Sequence, residues 1–264
     1  MKKFFQRGYI YLVLAFMYAP IFLLIVFSFI DTQMIGVSGD FTFDLYKQLL
    51  TEETLRSAII NTIVLALLAS VLSTILGTAG AIGLYYNKGY LGKGIKGASQ
   101  IPVISAEIVT AISMALICNL LGFGRSFMSL LLGHMVLCTP FVVLSVLPKL
   151  KQMDSNLYEA AIDLGATPTQ SLFKVVIPEI LPGIFSGFML SITLSLDDYI
   201  ISAFTRPEDF YTISTYVYDA VKNPSTSPLP ALRALSTIIF VVIVIAVIIM
   251  NIRANRKASR IGGR

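Results

Sequence analysis

Charge is scarce in this sequence. Asp, Glu, Lys and Arg make up 13% of its 264 residues, against 56% hydrophobic residues and a mean hydropathy of +0.79. Soluble domains carry about a quarter charged and roughly 45–50% apolar residues, so this composition excludes an ordinary soluble protein. Histidine occurs once, at His134, and cysteine twice, at Cys118 and Cys138, both in apolar stretches without metal-ligand spacing. A single histidine supplies neither a His-based metal cluster nor a Ser-His-Asp triad, and no HExxH-type set is present. His134 reads as a polar helix-packing residue and the cysteines as reduced packing residues. No GxxxxGK[ST] stretch occurs either, so if ATP drives this protein, another chain binds it. No cofactor or metal is expected in this chain.

What the sequence does have is long apolar runs, at about 9–30, 57–86, 101–122, 127–147, 181–205 and 234–252. A helix needs about 20 apolar residues to cross a bilayer, whereas a barrel strand needs only about 9–11. The expected fold is therefore an all-α membrane protein of six transmembrane helices, forming one domain over 1–264. The first run follows a basic start like that of a signal peptide, but its length and the lack of an A-x-A site mark it as a retained span. Gly77 and Gly80 in the second run suit close helix contact in lipid, where packing drives association. Pro140 predicts a kink in the fourth. Residues 31–56 and 206–233 read as polar connectors, and 87–100 as a basic loop.

Lys and Arg then orient the spans. With the N-terminus inside, the cytoplasmic side holds Lys2, Lys3, Arg7, Lys88, Lys93, Lys96, Lys149, Lys151, Lys174, Arg253, Arg256, Lys257, Arg260 and Arg264. The outer side holds only Lys47, Arg56, Arg125, Arg206, Lys222 and Arg233. This imbalance places both termini in the cytoplasm, and with them the connector at 150–180 between spans four and five. The basic pI of about 9.1 follows from topology and anionic lipid contact, and no aromatic-interleaved basic patch argues for nucleic acid.

That connector is not featureless. Leu157, Ala160, Ala161 and Leu164 fall at helical spacing, with Glu159 and Asp163 off their face. Asp154 or Ser155 can cap the start, and Gly165 can end the helix in a left-handed turn. Thr167-Pro168 signals a second helix start, and Pro178 is expected to interrupt that run. The reading is two short helices meeting at a glycine elbow.

Glu159-Ala160-Ala161, three residues, Gly165, nine residues, then Val175, Ile177 and Pro178 resemble the EAA loop of permease subunits of ABC importers. Val175 and Ile177 stand where the pattern has Ile and Leu. The resemblance implies short cytoplasmic coupling helices that dock in a cleft of a partner ATPase, which binds ATP and Mg. Ala160 and Ala161 would allow close approach, Glu159 would offer a carboxylate, and Gly165 would permit the turn. An ordinary amphipathic connector on the membrane surface is the alternative.

Acids inside the spans speak to cargo. Glu107, Asp197 and Asp198 lie in the third and fifth runs, and no Lys or Arg lies in the interior of any span to neutralise them. An ionised carboxylate at the bilayer centre costs a few kcal/mol, so such groups should face protein or a water-filled path. Counting from the run starts puts Glu107 toward the inner third and the Asp pair toward the outer half, two depths of one cation pathway. Ser105, Ser195, Tyr199 and Ser202 are near enough in sequence to offer hydroxyls and a ring to ammonium groups. The alternative role for these acids is to cap or pin helices.

The segments YEAAIDLGAT (158–167), TPFVVLSV (139–146) and LSLDDYIISAF (194–204) look like the second permease subunit of bacterial spermidine/putrescine importers. That likeness spans essentially the whole chain. It implies polyamine cargo, a second permease subunit, two copies of a cytoplasmic ATPase and an extracytoplasmic binding protein, in the bacterial cytoplasmic (inner) membrane. A permease for ferric ion, thiamine or an organophosphonate is the alternative within the class, and a self-sufficient cation carrier or channel outside it. The sequence shows no nucleophile-base pair that would make the chain an enzyme.

Overall fold

The computed structural model describes residues 2–32, 39–87, 89–154, 156–223, 231–238, 240, 241 and 244. They are mostly helical, and their one β contact is an isolated antiparallel bridge between Ile30 and Phe41. The chain divides into two units, Met1–Arg56 with Val217–Arg264, and Ser57–Tyr216.

In the first unit, α1 (Lys2–Phe27) is apolar, and none of its Gly8–Phe27 segment is buried within the chain. A lipid or partner surface accounts for such a helix. Beyond it, Asp31 donates its N–H to Asp40 O (3.1 Å) and Thr42 to Phe29 O (2.9 Å), closing the connector into a hairpin. Phe29 lies 5.4–5.8 Å, ring to ring, from Phe41, Phe43 and Tyr46, and Tyr46 Oη lies 2.8 Å from Ser28 Oγ. The connector then forms α2 (Asp44–Thr51), whose first N–H is taken by Thr42 Oγ1 at 3.0 Å. The Lys47 ammonium, 2.9 Å from Asp44, and the Thr42 hydroxyl hold that exposed carboxyl below its ordinary value. Residues 231–238 are helical, and Arg233 Nη2 donates to Thr32 O at 2.7 Å. Most of the expected sixth span lies outside the described residues, as does the basic tail from Arg253 to Arg264.

The second unit takes most of its length from long helices: α3 (Glu53–Tyr86, entering from the first unit), α6 (Phe127–Gln152) and α9 (Ile177–Asp197). Between them lie α4 (Tyr90–Ile104), α5 (Glu107–Leu120), α7 (Asn156–Asp163), α8 (Pro168–Ser171) and α10 (Ile200–Thr205). α11 (Ile213–Lys222) begins at its end. Four segments are long and apolar enough to cross a membrane: Gly8–Phe27, Glu53–Tyr86, Phe127–Gln152 and Pro168–Asp197.

Three sequence expectations need correction. Residues 87–100 are not a loop, because helix begins at Tyr90 and runs 15 residues to Ile104. The third run is accordingly two helices, α4 and α5, separated at Ser105 and Ala106. Pro178 does not interrupt the helix either. α8, a π turn over Leu172–Val176 and α9 run on as one helix, Pro168–Asp197. The π turn shifts the bonding so that Ile177 N–H reaches Leu172 O, an arrangement with room for Pro178, which has no N–H to give. The helix that holds the fifth apolar run therefore begins at the connector itself, well before residue 181. α6 likewise stays continuous through Pro140 and Pro148.

α6 and α9 pack along their length because glycines remove the side chains between them. A Cβ at Gly183 would lie 3.1 Å from Ser145 O, and one at Gly187 would lie 3.2 Å from Val142 Cα. This Gly-x-x-x-Gly pair is a small-residue contact of the kind that membrane helices use. Val142, Val143, Val146, Leu147, Leu150, Val176 and Ile180 fill the core around it. α3 approaches the same α6 residue, for a Cβ at Gly77 would lie 2.6 Å from Val142 Cβ and 3.0 Å from Thr139 O. Cys118 and Cys138 are buried free thiols, as the packing reading required.

Gly77→Ala should therefore cost about 1–3 kcal/mol by overpacking, whereas Gly83→Ala, with nothing within 4 Å of the new methyl, should be neutral or mildly stabilising. Fluorescence-detected melting of the detergent-solubilised protein checks this; equal melting of the two variants would contradict the close α3–α6 contact.

Candidate functional site

At the connector, α7 opens with Asp154 Oδ1 accepting from Asn156 N at 2.9 Å. Ser155, the other proposed cap, lies outside the described residues. α7 ends where Gly165 takes φ +88°, and Gly165 N–H donates to Ile162 O at 2.8 Å. α8 starts with a full capping box: Thr167 Oγ1 accepts from Gln170 N, and Gln170 Oε1 accepts from Thr167 N. The two-helix elbow is thus present, and Pro168 sits in its first turn.

The outer face of that elbow is open. No residue of α7 is buried, Glu159 and Ala160 are exposed, Ala161 is half-buried, and Leu164 is 89% exposed. Its inner face is anchored through Tyr158, whose ring lies 5.4 Å from Tyr86 and which packs with Leu172 on the α6–α9 core. An exposed apolar tip on a tethered base is a surface that can be pushed.

The membrane acids gather at the two helix breaks. Glu107 is the first residue of α5, just after the break at Ser105–Ala106. Asp197 ends α9, and Asp198 with Tyr199 forms the link to α10. The Glu107 carboxyl faces Asp198 within hydrogen-bonding reach and also feels the charge of Asp197. Glu107 and Asp198 therefore lie side by side, not at two depths, and Asp197 is near enough for its charge to act on Glu107. Fifteen helical residues of α4, roughly 22 Å at 1.5 Å each, precede the break at Ser105.

Within this cluster the roles differ. Asp198 is 5% exposed, and its carboxylate caps α10. Oδ1 accepts from Ile201 N at 3.1 Å, while Oδ2 accepts from Ser202 N and Ser202 Oγ, both at 2.9 Å. Its backbone carbonyl accepts from Ser214 Oγ at 2.5 Å. Glu107 and Asp197 are exposed, and Tyr199 is half-buried. Ser105 caps the end of α4 and pairs with Thr110 Oγ1 at 3.1 Å. Ser195 is buried and bonds to His134 instead of lining an open surface.

His134 is a polar helix-packing residue, as its sequence setting implied. Its ring, fully buried on α6, lies 2.8 Å from Ser195 Oγ through Nδ1, 3.0 Å from Ser202 Oγ through Nε2, and 3.3 Å from Asp198 Oδ2. The available signal was that an ionisable residue inside a span is a functional candidate by default. Among the described residues no group of His, Cys, Asp and Glu could hold a metal ion.

Long apolar helices, two helix breaks lined by acids and an exposed elbow describe an α-helical membrane protein. The chain belongs to the family described as "Binding-protein-dependent transport system inner membrane component", whose profile matches residues 1–259. It is a permease subunit of the ABC transporter class, a membrane component that is not itself an enzyme. It is 33% identical over 259 residues to the spermidine/putrescine transport system permease protein PotC of Haemophilus influenzae, covering 97% of this chain and 99% of that protein. The putrescine transport system permease protein PotI of Escherichia coli is 30% identical over 85% of this chain and 81% of its own. Among solved structures, a bacterial ABC transporter involved in alginate import superposes with a TM-score of 0.68 at 19% identity, over 93% of this chain and 95% of that one. The MetNI methionine ABC transporter does so at 0.57 and 18%, over 78% and 99%. Both likenesses support the fold.

Gly165→Val should strain the left-handed turn by about 1–2 kcal/mol and loosen the elbow without preventing membrane insertion. Limited proteolysis of membranes should show faster cleavage between 160 and 170; an unchanged pattern would show that the elbow does not depend on that backbone geometry.

Proposed function

We propose that this chain is one of two permease subunits of an ATP-driven importer that carries polyamines, spermidine and putrescine, inward by alternating access. The observation that carries the cargo is the closeness of Glu107 to Asp198, with Asp197 beside them, at two helix breaks, with no Lys or Arg inside any of the six apolar runs. Carboxylates gathered in a low-dielectric region attract ammonium groups and repel anions. Full-length similarity to permeases named for spermidine and putrescine points the same way.

The partners in this reading are a second permease, two copies of a cytoplasmic ATPase that bind ATP and Mg, and an extracytoplasmic polyamine-binding protein. Six spans cross the bacterial cytoplasmic membrane with both termini and the α7–α8 elbow inside. ATPase closure presses on Glu159, Ala160, Ala161 and the turn at Gly165. The helix Pro168–Asp197 carries that displacement along its 30 residues to the acids at its other end. Glu107 and Asp197, being exposed, take the cargo's ammonium groups, and Tyr199 and Ser105 flank them.

Uptake of radiolabelled spermidine by cells expressing this chain with its partner subunits tests the proposal. Glu159→Lys should abolish ATP-dependent uptake, and Glu107→Gln with Asp197→Asn should reduce it about tenfold or more at equal complex levels. ATP-dependent transport of another solute would discard the polyamine cargo, and uptake by this chain alone would discard the ATPase-coupled mechanism. The orientation has its own check, because Leu164→Cys should react with an impermeant maleimide in inside-out vesicles and not in intact cells. Labelling from outside would invert the topology.

A further inference from the structure

We infer that His134 is a positioning residue for the membrane acids: its ring ties the end of α9 to the start of α10 across their break and so sets where Asp197 and Asp198 stand against Glu107. The inference rests on the cation-path reading above and assigns the site its support.

A break removes the backbone hydrogen bonds that would otherwise hold two helix segments in line. Here α9 and α10 are joined only through Asp198 (φ −64°, ψ 126°) and Tyr199 (φ −108°, ψ −42°). Something outside the two segments must fix their relative direction, and His134 on the unbroken α6 touches both. Nδ1 meets Ser195 Oγ of α9 at 2.8 Å, and Nε2 meets Ser202 Oγ of α10 at 3.0 Å.

The donor pattern is self-consistent. Ser202 Oγ has one hydrogen and gives it to Asp198 Oδ2 at 2.9 Å, so it accepts from Nε2–H. In the Nε2–H tautomer Nδ1 is the acceptor for Ser195 Oγ–H. Each group in the chain Ser195, His134, Ser202, Asp198 has its partner, and Asp198 is held as both cap and neighbour of Nε2 at 3.3 Å. The ring sits in a tight frame, for a Cβ on adjacent Gly133 would lie 2.6 Å from Ile201 Cγ2. Ala111 of α5, Leu137 of α6 and Ile201 of α10 form one buried cluster that joins the three helices. Rotating α10 about the break would thus cost the Nε2 bond to Ser202 and pull Ser202 from the Asp198 carboxylate that it holds beside Glu107.

The test uses the complete importer in proteoliposomes, with uptake of spermidine and of putrescine measured per assembled complex. His134→Leu, which keeps bulk and loses both bonds, should raise KM by about fivefold or more and change the spermidine-to-putrescine ratio, with Vmax held within about twofold. His134→Gln, whose amide can donate toward Ser202, should bring KM back to within about twofold of the parent. Uptake that falls only in proportion to assembled complex, with both KM values unchanged, would overturn the inference. If His134→Leu fails to assemble, Ser195→Ala decides, since it removes only the Nδ1 bond: a raised KM supports positioning and an unchanged KM overturns it. An unaffected Glu107→Gln, Asp197→Asn double variant would remove the cation path and with it what His134 positions. A sensitive double variant beside an insensitive His134→Leu would overturn the role of His134 alone.

Discussion

The contact of α6 with α9 is the constraint from which the rest follows. Gly183 and Gly187 bring the α9 backbone to within van der Waals distance of Val142 and Ser145, and in lipid such closeness is itself the source of association, because apolar surface gains little by leaving hydrocarbon. α6 is therefore a fixed post. α3 packs on it through Gly77, α10 lies against it at Gly133, and His134 reaches from it to both sides of the break. Larger side chains at these glycines would separate the helices and leave the histidine short of its partners.

Backbone polarity sets the second constraint. A helix interrupted inside a bilayer exposes N–H and C=O groups that lipid cannot satisfy, at several kcal/mol each. At the α9–α10 break side chains answer several of them. Asp198 takes the N–H groups of Ile201 and Ser202, and Ser214 serves the Asp198 carbonyl. At the C-terminal end of α10, Arg125 donates from Nε to Arg206 O at 3.1 Å and from Nη2 to Ala203 O at 3.3 Å, placing a cation at the negative end of the short helix. Asp198 thus does structural work, which leaves Glu107 and Asp197 as the carboxylates with open faces.

Composition and apolar length were enough to read the helical membrane class, and the turn chemistry of Gly165, Thr167 and Pro168 was enough to read the elbow, because these signals are local. The breaks were not legible. Nothing in Ser105-Ala106 or Asp198-Tyr199 is a strong helix breaker, so hydropathy runs straight through both. Pro178 misled in the opposite sense: proline is a strong stop signal, yet a π turn absorbs it, and the choice between stopping and shifting register depends on packing around Val176 and Ile180. The pairing of His134 with Ser195 and Ser202 joins residues 61 and 68 positions apart, which no periodicity in one helix encodes.

The uneven stiffness of the Pro168–Asp197 helix bears on how a push at the elbow could reach the acids. Its first two turns hold a π turn, whose looser bonding makes it the natural place to bend, whereas the segment after Ile180 is locked to α6 by Gly183 and Gly187. A displacement of α7 and α8 too small to break that lock would be absorbed at Leu172–Val176. A larger one must move α6 and α9 together, and because His134 and Ser195 sit on this pair, the acids would move with it as a body. Under the proposed coupling, the break is then a corner of one rigid wall, and the opening on which transport depends lies between that wall and a facing surface supplied by another subunit.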